Sequence, residues 1–265
     1  MSECPRDLMV CRKEGMGENI FEVMLLAESS PQVMARICEE LRELNVDVIS
    51  GFHAKLRDKR LCRWTLFINL SCSQTTPEAL VSSLLRIQGV LEVNVIKPKP
   101  LIVESFHFPL TIDGDSALIM RGMTFADLQK KLEELFETGA ELILYEAGRS
   151  CGRRSCHRIK RRYGLKGMDL LEAVRQIKRA EGWGEVDFSN FELDRVRGSI
   201  IVRRCFEAVN YGKSDRPVCH FMRGYLEGVL EETLGKIVRL MEVRCAATGQ
   251  EYCEFRVRHL EDLMS

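Results

Sequence analysis

The chain has 265 residues, with 39 basic and 39 acidic side chains, 45% hydrophobic residues and 11 cysteines. That length supports one large or two ordinary cores without covalent staples, and a formal charge of zero argues against a generic polyanion binder. No apolar run approaches the roughly 18 residues of a membrane span, the start Met1-Ser2-Glu3-Cys4-Pro5-Arg6-Asp7 has no signal-peptide core, and the odd cysteine count indicates reduced thiols in a cytoplasmic protein.

Residues 1–18 show no hydrophobic period and read as a flexible tail. Ile20–Ala27 is an apolar run of strand length. Ser29-Ser30-Pro31 then signals a helix start, with Val33, Ile37, Leu41 and Leu44 at helical spacing. Val46–Leu56 and Leu61–Leu70 read as strands about the charged turn Arg57-Asp58-Lys59-Arg60. Thr76-Pro77-Glu78 opens a second helix, and Gly89 ends it before a strand over Val90–Ile96. The order βαββαβ within residues 19–98 predicts a ferredoxin-like domain: a four-stranded antiparallel sheet with two helices on one face.

With Gly89-Val90-x-x-Val93 leading into the last strand, this segment resembles an ACT domain. The resemblance implies pairing through the sheets and binding of amino acids or other small effectors near the interface. The first strand-to-helix loop, Glu28-Ser29-Ser30-Pro31-Gln32, lacks the glycine that amino-acid-binding members carry. Dimerisation therefore stands beside effector binding as the domain's role.

Lys97-Pro98-Lys99-Pro100 marks the boundary, with a linker over 99–104 and a second domain over 105–265. Thr124-x-x-Asp127 resembles a capping box ahead of Leu128, Leu132, Leu135 and Phe136. Further helices are expected from about Ala140 to Arg162 and from Asp169 to the break at Gly182-Trp183-Gly184. Val186–Arg195 and Ser199–Phe206 read as a hairpin about Arg197-Gly198. A fourth helix begins at Pro217, and strands over Ile237–Val243 and Tyr252–Arg258 follow. The fold class expected is α+β.

The sharpest chemical signal lies in the last 50 residues. Cys219 falls in the first turn of the fourth helix, Glu242 and Cys245 at the end of the next strand, and Cys253 at the start of the last. Zinc accepts thiolate and carboxylate ligands, and four protein ligands make a closed, structural site. Residues 242 and 245 point to opposite faces of a regular strand, so a shared site requires a bend, for which Ala246-Ala247-Thr248-Gly249 is a suitable turn. By spacing alone, buried free cysteines explain these positions equally well. Neighbouring His220 reads as an exposed helix histidine, and His259 carries no assignment.

The run Pro217-Val218-Cys219-His220-Phe221-Met222-Arg223-Gly224-Tyr225-Leu226-Glu227-Gly228 resembles the 4-vinyl reductase domain family. So do Met241-Glu242-Val243-Arg244-Cys245 and Thr248-Gly249-Gln250-Glu251-Tyr252-Cys253, with Tyr145-Glu146-Ala147-Gly148-Arg149 and Gly152-Arg153 upstream. The similarity spans about residues 104–260. The family includes an archaeal group, a partner of bacteriochlorophyll biosynthesis and the sensory domains of phenol- and toluene-responsive activators, in which a Cys, a Glu and two further Cys hold zinc. The resemblance implies a structural Zn2+ on Cys219, Glu242, Cys245 and Cys253, a hydrophobic or aromatic ligand, and a fold similar to TRAPP vesicle-tethering subunits.

Phe106, Phe108, Trp183, Phe188, Phe191, Tyr211, Phe221 and Tyr225 are candidate pocket residues, with core packing as the alternative for each. Arg149–Arg179 holds eleven Lys/Arg against Asp169 and Glu172. This reads as a solvated helical face or interdomain contact ahead of a nucleic-acid patch. Cys151 and Cys156 within it are not a metal pair, although basic neighbours would lower an exposed thiol's pKa. No Ser-His-Asp arrangement, Walker loop or GxGxxG is present. The first expectation is a homodimeric small-molecule-binding regulator. The others are a reductase component, which lacks a nicotinamide or flavin fingerprint, and an adaptor of the TRAPP type.

Overall fold

The computed structural model describes residues 11–12, 19–56, 60–97, 102–104, 106–112 and 114–257. The expected tail (apart from Cys11–Arg12), the turn at 57–59, the boundary prolines Pro98 and Pro100, and His259 lie outside them. The chain divides into two compact units, residues 1–118 and 119–265. No helix among the described residues is long and apolar enough to cross a membrane.

In the N-terminal unit, β1 (Ile20–Glu28), α1 (Pro31–Glu43), β2 (Asp47–Lys55), β3 (Leu61–Asn69), α2 (Pro77–Leu85) and β4 (Val90–Ile96) follow in the expected order. The sheet runs β2-β3-β1-β4, antiparallel throughout, which is the ferredoxin-like topology. Local chemistry sets the helix starts. Pro31 and Pro77 stand in the first turns, where a missing N–H costs nothing, and Thr76 accepts a 3.2 Å bond from the Ala79 N–H. One side of α1 (Val33, Ile37, Leu41) and of α2 (Leu80, Leu84) is buried against Val23, Leu25, Leu66 and Ile68 of the two central strands.

The C-terminal unit comprises α3 (Gly122–Phe136), α4 (Thr138–Tyr163), α5 (Gly167–Ala180), β5 (Glu185–Asp187), β6 (Phe191–Glu192), β7 (Arg197–Arg203), α6 (Phe206–Tyr211), α7 (His220–Leu234), β8 (Leu240–Arg244) and β9 (Cys253–Val257). The sheet runs β6-β7-β9-β8, and β5 also pairs with β7. Three expectations are corrected. The helix α3 begins at Gly122 with Arg121 as its cap, so Thr124 and Asp127 lie inside it and form no capping box. The stretch expected as strand 186–195 is two short strands, and its partner stops at Arg203 because the chain turns into α6. Pro217 precedes α7 by a few residues, since Cys219 is the cap.

Helices α4 and α7 approach at backbone contact. A Cβ on Gly148 or Gly152 would overlap the carbonyl oxygen of Phe221 or Tyr225, and one on Gly224 or Gly228 would overlap that of Tyr145 or Arg149. Two glycines four apart on each helix thus form reciprocal backbone contacts. Polar groups buried along the same seam are paired: Tyr145 Oη donates to Glu227, Glu227 also accepts the Leu240 N–H at 2.7 Å, and Arg149 bonds Glu231 through two nitrogens at 3.1 and 2.9 Å. This seam fixes the start of α7, where Cys219 stands.

Candidate metal centre

Cys219, Glu242, Cys245 and Cys253 come together, with one ligand atom from each lying within 4.8 Å of all the others. Cys219 Sγ is 3.8 Å from Cys245 Sγ and 3.6 Å from Cys253 Sγ. A tetrahedral shell with metal–sulfur bonds of about 2.3 Å has sulfur–sulfur edges of about 3.8 Å, so the thiols already stand at ligand spacing. All three cysteines are fully buried.

The backbone explains the convergence. The ladder between β8 and β9 shifts register between Glu242 and Arg244, and a 3-10 turn over Ala246–Thr248 follows Cys245, closed by the left-handed Gly249 (φ 88°). The bulge re-aims the side chains, so residues 242 and 245 reach one site despite their odd spacing. The Ala246 N–H donates to Cys253 Sγ at 3.4 Å, and Thr248 Oγ1 donates to the Cys245 carbonyl at 2.8 Å.

Glu242 Oε2 accepts the Cys219 N–H at 3.0 Å, whereas its buried Oε1 has no hydrogen-bond partner. An unpaired buried carboxylate oxygen is costly, and a cation held jointly with three thiolates would satisfy it. Burial pushes the Glu242 carboxyl up to about 8, with Cys245 adding to the rise, and pushes the Cys219 thiol well above its ordinary value. The four residues therefore fit a metal ion, which would supply the compensating positive charge.

Two residues belong to this neighbourhood that sequence reasoning passed over. Cys205, fully buried just before α6, has its sulfur 3.7 Å from Cys219 Sγ. Glu207, buried in α6, accepts the N–H groups of Phe221 and Met222 at 3.0 and 2.8 Å. Cys219 makes no side-chain cap bond, its sulfur being turned into the cluster, so Glu207 caps α7 from another helix. Burial raises its carboxyl to about 8. His220 lies outside the cluster and is not exposed as expected. Its side chain is 11% exposed, with Nε2 4.0 Å from Glu141, because the start of α7 packs against α4.

Of the candidate pocket residues, Trp183, Phe221 and Tyr225 form one aromatic cluster, which Phe125 and Phe206 join at centroid distances of 5.0–5.7 Å. Lys178 Nζ sits 4.0 Å over the Trp183 ring. Phe188 and Phe191 are core residues, and Phe108 is exposed. The basic stretch is spent partly on ion pairs: Arg149 with Glu231, His157 and Lys160 with Glu232, and Arg175 with Glu172. Burial raises the thiol pKa of both Cys151 and Cys156, reversing the effect expected of exposed thiols.

The fold and donor set define an α+β protein with a ferredoxin-like N-terminal unit and a C-terminal unit whose three cysteines and one glutamate could hold a metal ion. Residues 199–259 match the vinyl-4-reductase domain family, and the chain belongs to that family. It is 31% identical over 124 residues to an uncharacterized protein of Methanocaldococcus jannaschii, covering 47% of this chain and 67% of that one. Among solved structures, the phenol-responsive sensory domain of the transcription activator PoxR, with phenol, is 21% identical, covering 56% of this chain and 78% of that one with a TM-score of 0.48. The ACT domain of a Chlorobium tepidum GTP pyrophosphokinase is 15% identical, covering 30% of this chain and all of that one with a TM-score of 0.25.

Proposed function

We propose that this protein is a small-molecule-responsive regulator. In this reading zinc on Cys219, Glu242, Cys245 and Cys253 organises the C-terminal unit, an aromatic or hydrophobic compound binds at the aromatic cluster, and the protein is a homodimer. The observation that carries the proposal is the shared framework of the two clusters. Cys205 adjoins Phe206, and Cys219 stands two residues before Phe221, so the segments that present thiols also present rings. Phe125, Trp183, Phe206 and Phe221 are only partly buried, unlike the core aromatics Phe188, Phe191 and Phe255. A half-open ring cluster with a cation above one ring suits a flat, electron-rich ligand.

Zinc would act structurally, since four protein ligands leave no position for water. Elemental analysis of protein purified without added metal is expected to find one zinc per chain, and none after substitution of Cys219 or Cys253. Ligand binding is read from Trp183 fluorescence in a Trp64→Phe background. Saturable quenching by simple phenols and alkylbenzenes, abolished by Phe221→Ala, is expected, and an absence of saturable change across that panel would refute the sensor reading.

A further inference from the structure

Cys205 is the remaining buried thiol at the cluster. It precedes α6, its sulfur lies 3.7 Å from Cys219 Sγ, and Cys253 is its second hydrogen-bonding neighbour. Cys219 and Cys253 are themselves 3.6 Å apart. These two sulfurs thus serve two faces, one completed by Cys245 and Glu242 and the other by Cys205. The edge on the Cys205 side matches in length those on the Glu242 side, and both fit a tetrahedral thiolate shell.

The position of Cys205 follows from the backbone. Ile200 and Val202 alternate into the core along β7, and that period would leave residue 205 facing out. Arg204 adopts a left-handed conformation (φ 52°), ending the strand and turning Cys205 inward. A non-glycine residue in that region carries a backbone cost, here spent on bringing a fourth sulfur to the cluster.

We propose that Cys205 is a fifth donor of the metal centre and exchanges with Glu242 for the fourth coordination position. A borderline cation such as zinc is then held by three thiolates and a carboxylate, and a softer one such as cadmium by four thiolates. In the exchange one metal–oxygen bond is replaced by one metal–sulfur bond, and the Cys205 proton passes to the released carboxylate. The inference rests on the reading that Cys219, Glu242, Cys245 and Cys253 bind a metal.

The test is cadmium-113 NMR of the full-length protein and its Cys205→Ser variant. The wild-type resonance is expected in the region of four-thiolate sites, moving in the variant to the region of three thiolates and one oxygen. Identical three-thiolate resonances in both proteins would overturn the role of Cys205 and leave the four-residue site standing. Failure of the wild-type protein to bind cadmium would overturn that site as well. Should Cys205→Ser not fold, Glu242→Gln decides. Cadmium affinity within about tenfold of wild type supports exchange, and a larger loss overturns it.

Discussion

At Glu242 and Cys219, burial and chemistry pull in opposite directions. Each group is most useful to a metal as an anion, yet each is withdrawn from water, so in the metal-free protein both hold their protons. Metal uptake must displace them, and affinity should weaken as pH falls from about 8 to about 6. Calorimetric titration in buffers of different ionisation enthalpy would measure the protons released, and a pH-independent affinity would contradict this account. The stability of the metal-free protein should run the other way. Unfolded Glu242 loses its proton near 4.5 while the folded chain keeps it to about 8, so the unfolded state binds fewer protons and stability falls as pH rises across that window. Denaturant melts of chelator-treated and zinc-loaded protein should diverge with rising pH, with the loaded protein more stable by at least about 3 kcal/mol at neutral pH.

Elements here are joined less by side-chain interdigitation than by the backbone seam of α4 and α7. Gly152→Ala or Gly224→Ala would force a methyl into a carbonyl oxygen of the facing helix, with no flexible side chain able to yield. Either change is expected to cost about 3 kcal/mol or more and to loosen metal binding through the displaced start of α7. Thr76→Ala, which removes one cap bond at α2, should cost only about 1 kcal/mol, and urea melts would separate the two classes. Much of this level was legible. Proline and threonine at the helix starts, and the glycine before Val90, locate the N-terminal elements closely, because their causes lie within a few residues in sequence. The capping box at Thr124 and the long hairpin over 186–206 failed because tertiary context won: α3 extends two residues upstream of Thr124, and the left-handed Arg204 cuts the strand to make room for α6.

For the whole molecule, the exposed apolar surface bears on assembly. Met123, Leu128, Leu135 and Phe136 of α3, with Leu142 and Ile143 of α4, are all exposed, an apolar set larger than a lone solvated helix requires. If copies associate there, Leu135→Lys with Leu142→Lys should convert the dimer to monomer in sedimentation analysis while leaving zinc content unchanged. A variant that stays dimeric would move the contact elsewhere, with the edge strands of the N-terminal sheet the next place to look.

Chain order, periodicity and turn chemistry are local, so the sequence by itself determined the βαββαβ unit and singled out the four residues that meet in the C-terminal cluster. Their convergence is another matter. Glu242 and Cys245 share a site only because a bulge shifts the ladder between them, Cys205 joins only because one backbone angle turns it inward, and α7 is capped by a glutamate from α6. These are contacts between residues distant in sequence or breaks in a regular period, and no local rule reports either. Tertiary structure decided them because a buried donor is tolerated only where the surrounding backbone brings it partners.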